Sequence, residues 1–123
     1  MSTIKVDTLQ TVAGNQLTPA RAWLNFNSSG TPSVHESQNV SSITDVSNGV
    51  YGVNLSPAMT SAHYAVSGMA KDYGSVSSNH TITGANGDQN TSSVLRVRTV
   101  TLNTSGAHTS GSEADYVSLV VHQ

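Results

Sequence analysis

The sequence predicts an all-β fold, an antiparallel β-sandwich, from its composition, its alternation and its turn signals. Val, with 15 copies, and Thr, with 14, outnumber the helix-favouring residues, and their branched β-carbons restrict χ1 in a way that suits a pleated strand. Several runs alternate apolar and polar residues with a period of two. Clusters of Gly, Asn, Ser and Pro separate these runs at short intervals, giving seven or eight strands and no helix of two turns or more.

Length and composition bound what such a fold can do. At 123 residues the chain is a single core-forming unit, with residues 1–18 read as an N-terminal arm and 19–123 as the sandwich. Leu, Ile, Val and Phe account for only 26 residues, so the core is thin, and charged residues make up 10 % against about 25 % in an ordinary domain. Ser, Thr, Asn and Gly number 54 and carry the polarity. The net charge of −2 and the scattered Lys and Arg argue against a nucleic-acid surface, which needs clustered cations. Without cysteine there are no disulfides or thiolate metal sites. No apolar run resembles a signal peptide or approaches the roughly 20 residues of a membrane span, so synthesis in a cytoplasm without membrane insertion is expected.

In the arm, Ile4, Val6, Leu9 and Val12 form a short apolar pattern ending at Ala13-Gly14-Asn15. The segment cannot cover these side chains itself, so they are candidate anchors on another chain. Ala20 to Asn27 is the clearest strand, with Ala20, Ala22, Leu24 and Phe26 on one face and Arg21, Trp23, Asn25 and Asn27 on the other. Trp23, opposite the Leu/Phe face, and Arg21 are candidate contact residues. Ser33–Ser37 and Val40–Ile43 follow, and Asn48-Gly49 marks a hairpin into Val50–Leu55 because both turn residues tolerate positive φ.

Leu55-Ser56-Pro57 leading to the Tyr64–Ala70 strand suggests a corner in which the Tyr64 hydroxyl bonds back to upstream backbone. Val76–Thr83 reads as a polar strand and Gly84–Asp88 as a loop. Ser93–Leu102 carries apolar residues on both faces, with Arg96 and Arg98 sharing one of them. Asn103–Ser112 reads as a loop, and Tyr116–Val121 as a last strand too apolar to be solvated on both sides. Edges of such sheets are usually blunted by Lys, Glu or Pro, and two Lys and two Glu are few for this, so copies of the chain or neighbours are expected to cover them.

No constellation in the sequence carries a reaction. The histidines at 35, 63, 80, 108 and 122 lack the spacing that places two imidazoles on one metal ion, and are read as surface or interface residues. His35-Glu36 is followed by Asn39 where a zinc-protease motif needs its second His, and no Gly-x-Ser-x-Gly elbow exists. Asn86–Asn90 lacks the carboxylate density and terminal Glu of a calcium loop. Arg96 and Arg98 could grip a carboxylate, but cross-strand pairing with Asp or Glu is the preferred reading. Tyr73, in Lys71-Asp72-Tyr73-Gly74, is the aromatic residue best placed for a loop contact. The expectation is a chain that is no enzyme and takes no cofactor or metal.

Ile4-Lys5-Val6-Asp7-Thr8-Leu9-Gln10-Thr11, Pro19-Ala20-Arg21-Ala22-Trp23-Leu24-Asn25-Phe26-Asn27 and Asn39-Val40-Ser41-Ser42-Ile43-Thr44-Asp45 resemble a module of tail-fibre and related virion proteins of tailed bacteriophages, particularly of marine and cyanobacterial hosts. Gly49–Leu55, Ala58-Met59 and Tyr64-Ala65-Val66 continue the resemblance over more than half the chain, and the part from about Tyr73 departs from it. The resemblance implies a homotrimeric structural protein on the virion tail or capsid surface. Other virion proteins and a host surface glycan are its implied partners, and host attachment its role. Capsid decoration or cementing without a ligand, and a polysaccharide depolymerase, which needs paired carboxylates in a groove, are the alternatives.

Overall fold

In the computed structural model, the described residues are 2–5, 7–8, 10, 12–14, 20–72, 80–84, 90–102, 105 and 108–123, without side-chain detail at 102 and 108–110. Among them there is no helix, and nine strands form two antiparallel sheets. β1 (Ala22–Asn27), β2 (Ser33–Gln38), β5 (Ala65–Lys71) and β9 (Tyr116–His122) make the first sheet in the order β2-β1-β9-β5. β3 (Val40–Ser47), β4 (Val50–Leu55), β6 (His80–Gly84) and β7 (Val94–Leu102) make the second in the order β3-β4-β7-β6, with short β8 (His108–Gly111) also on β7.

The alternation read from the sequence decides which faces meet. Ala22, Leu24 and Phe26 of β1 pair with Val121, Leu119 and Val117 of β9, and all six are buried. Tyr51, Val53 and Leu55 of β4 and Leu95 and Val97 of β7 close the same core from the other sheet. Phe26 and Tyr51 meet edge to face across the layers, with ring centroids 5.4 Å apart. This is the arrangement favoured by the ring quadrupoles.

Turn chemistry places the strands. Asn39 alone separates β2 from β3 and has φ of 58°, a left-handed conformation that Asn tolerates better than most residues. Its side-chain Nδ2 donates to the Arg21 carbonyl at 2.6 Å, holding the crossing between sheets. The Asn48-Gly49 hairpin is present, with positive φ at Gly49 but not at Asn48. Gly49 is buried, and a Cβ there would run into the main-chain nitrogen of Ser112.

That close approach explains β8, which falls within the loop expected over Asn103–Ser112. β4 ladders with β7 only from Val94 to Arg98, while β7 runs on to Leu102. β8 takes up the vacated edge, pairing at Val100 and Leu102. At the junction, Thr99 N–H donates to the Gly49 carbonyl at 2.8 Å, and Ser112 N–H donates to the Thr99 carbonyl at 2.9 Å. Buried main-chain groups left between two strand ends are thereby satisfied.

The tyrosine corner also differs from expectation. The Tyr64 hydroxyl lies 3.1 Å from the carbonyls of Thr91 and Val94, so it bonds downstream rather than upstream. The bond to upstream backbone belongs to Tyr51, whose hydroxyl donates to the Ser28 carbonyl at 3.0 Å. Burial raises the pKa of both phenols, because it disfavours the phenolate; at Tyr51 the Ser28 side chain opposes the rise and the carboxylates of Glu113 and Asp45 add to it.

Candidate functional site

The anticipated contact residues do not converge. Arg21 is exposed beside β1, and Trp23 is half-buried on the outer face of the first sheet, where its Nε1–H donates to Gln38 Oε1 at 2.9 Å. Arg96 and Arg98 point outward from the second sheet. The cross-strand neighbour of Arg96 on β4 is Gly52 rather than an acid, which overturns the carboxylate-pairing expectation for that residue. A Cβ on Gly52 would stand 2.8 Å from Arg96 Nη1, so the glycine makes room for the guanidinium. That Nη1 is buried without a hydrogen-bond partner. Arg98 lies opposite Val50 and Thr83. Tyr73, Val6 and Leu9 fall outside the described residues, whereas Ile4 is 88 % exposed and Val12 fully so.

His80 corrects the surface reading of the histidines. Its side chain is 2 % exposed, and Nε2 lies 2.8 Å from Asp72 Oδ2. A β-bulge between Asn25 and Phe26 leaves His35 without a partner in the β1–β2 register and re-aims it along the sheet. His35 stacks on Tyr116 at 5.6 Å, and Lys71 Nζ lies 5.2 Å from the same ring centroid. Among the described residues no three His, Asp or Glu side chains are grouped so as to hold a metal ion.

Two concavities stand out among the described residues. A polar depression of about 530 Å³ is lined by Ser29, Asn48, Gly111 and Ser112 together with the carboxylates of Asp72, Glu113 and Asp115. Glu113 Oε2 accepts the Gly30 N–H at 2.9 Å, which ties this acid to the β1–β2 turn. Glu36 is exposed on β2 and does not line the depression.

The larger concavity, about 540 Å³, opens between the edge strands β5 and β6. Its walls include Val66 and Gly68 of β5 and Ile82 and Gly84 of β6, its floor is Leu95, Val97 and Leu119, and Tyr64 and Asn90 close one end. The register explains the facing. Val66 and Gly68 pair with core residues Val121 and Leu119, while Ile82 and Gly84 pair with Thr99 and Val97, so all four face inward. Gly68 lets the layers approach, since a Cβ there would sit 3.1 Å from Ile82 Cδ1 and closer still to Ser118 and Leu119. Gly84 has nothing within 4 Å of its Cβ position, so the cleft is open beside it. Sequence reading missed this site. Its one signal is Gly68 inside the Tyr64–Ala70 pattern, since a glycine within a strand often marks a close approach, whereas Gly84 falls in the expected loop.

No protein-family model, curated protein or solved structure matches this chain.

Proposed function

We propose that the chain is a structural virion protein of a tailed bacteriophage, a homotrimeric tail-fibre or appendage subunit anchored by its N-terminal arm and presenting a host-attachment surface. The observation that carries the reading is the state of the arm beside a finished core. Both sheets already close on each other, yet Ile4 is 88 % exposed and Val12 wholly so, which in a chain with 10 % charged residues calls for a partner surface. Multivalency then makes weak contacts sufficient, because three linked copies raise the effective concentration of each. The resemblance of the first half to tail-fibre modules supplies the setting.

Labelled antibodies against the protein, viewed on virions, and competition of purified protein with phage adsorption test this together. Label at a tail appendage and blocked adsorption are expected. Label spread over the capsid without competition would favour a cement protein, and absence from the virion would end the reading. The enzymatic alternative would draw on the carboxylates that line the depression of Asp72, Glu113 and Asp115. Degradation of host polysaccharide that Glu113→Gln abolishes would establish it.

A further inference from the structure

We infer that the cleft between β5 and β6 binds one neutral sugar ring; this rests on the attachment reading and gives it a site. Three features of the cleft select that ligand. The first is charge. Arg96 lines the cleft, but its Nη1 lies against Gly52 on β4, and β4 and β6 flank β7 on opposite sides, so the guanidinium is turned away. Among the described residues no other charged residue lines the cleft, which leaves nothing there to hold a carboxylate or phosphate.

The second feature is the rim. Among the described residues β5 ladders only with β9 and β6 only with β7, so each leaves one row of main-chain N–H and C=O groups beside the mouth. Alternating donors and acceptors suit hydroxyls, which do both, while an alkyl chain would leave them unsatisfied. Between the rims, Val66, Ile82 and Tyr64 offer an apolar surface matching the C–H face of a pyranose.

The third is length. The cleft touches β5 only at Val66–Gly68 and β6 only at Ile82–Gly84, a span of about 10 Å at the rise of a strand. A peptide adding to an edge typically uses about five or six residues. A single ring needs no more than the span available. The described lining of the cleft contains no carboxylate, so it is suited to hold a sugar without hydrolysing it.

Gly84 supplies the blocking variant. Its Cβ position is open, its φ is not positive and it faces the cleft, so Gly84→Trp fills the site without strain while Gly84→Ala leaves it accessible. The test is titration of the isotope-labelled full chain with the methyl glycosides of glucose, galactose and N-acetylglucosamine, with glucuronate and a blocked valine-threonine pentapeptide as contrasts. At least one neutral glycoside is expected to shift the amides of 66–68 and 82–84, with binding about tenfold weaker or lost in Gly84→Trp and kept in Gly84→Ala. No shift there with any neutral glycoside, shifts centred on His35 and Tyr116, equal binding by Gly84→Trp, or response to the pentapeptide alone would each overturn the inference. Failure of the two readings is separable. If Gly84→Trp still competes with phage adsorption, the cleft fails and attachment stands; if the unaltered protein never competes, attachment fails whatever the titration gives.

Discussion

Tyr51 joins three parts of the molecule through one side chain. Its ring packs on Phe26, its hydroxyl donates to the Ser28 carbonyl, and Ser28 is in turn bonded to Ala114, with N–H donating at 2.9 Å and Oγ at 2.8 Å. Tyr51→Phe keeps the packing but leaves a buried carbonyl short of a donor, and should cost about 1–2 kcal/mol in urea denaturation. The raised phenol pKa adds a pH dependence of fixed sign. Its contribution is intact below the ordinary value of 10.0 and is lost as pH rises through the higher folded value, because the unfolded phenol ionises first. The denaturation midpoint should therefore fall above pH 10.0, more shallowly in Tyr51→Phe. Two glycines separate backbone strain from crowding. Gly30 and Gly49 have φ of 67° and 70°, but only Gly49 has backbone where a Cβ would go. Gly30→Ala should cost about 1 kcal/mol from the left-handed conformation. Gly49→Ala should cost about 2 kcal/mol more, since Ser112 and Gly111 must move. Thermal unfolding of the two variants side by side reads the difference.

At the level of elements, the strands with strict alternation were legible. β1 shows its buried face in every second residue, and β9 does the same. β8 was not, because His108-Thr109-Ser110-Gly111 carries no apolar pattern and owes its pairing to β7 outrunning β4. His80 was misread because its partner, Asp72, lies beyond the end of β5 and comes within reach only when β5 and β6 face each other. The upstream bond was assigned to the wrong tyrosine for a related reason. The Leu-x-Pro turn is a local feature, whereas the choice between Tyr51 and Tyr64 depends on which strand faces β1. The cleft likewise exists only between two strands from different sheets. The proposed arm makes a prediction at this scale. Ile4 and Val12 are exposed, so deleting residues 2–14 should move the melting temperature of the sandwich by no more than about 2 °C while abolishing association.

For the whole molecule, three of the four edge strands β2, β5, β3 and β6 carry a charge that discourages sheet-to-sheet addition, Glu36 on β2, Lys71 on β5 and Asp45 on β3. The edge of β6 has no Asp, Glu, Lys or Arg, and exposed Val46 lies beside Asp45 on β3. A chain with so little charge and an apolar arm has an incentive to associate, and closed threefold association covers such surfaces without forming an open fibre. Sedimentation equilibrium of the purified full-length chain at micromolar concentration tests this most directly. The account predicts the mass of three 12.8 kDa chains, falling to that of one chain when residues 2–14 are removed. A stable monomer of the full-length chain would contradict it.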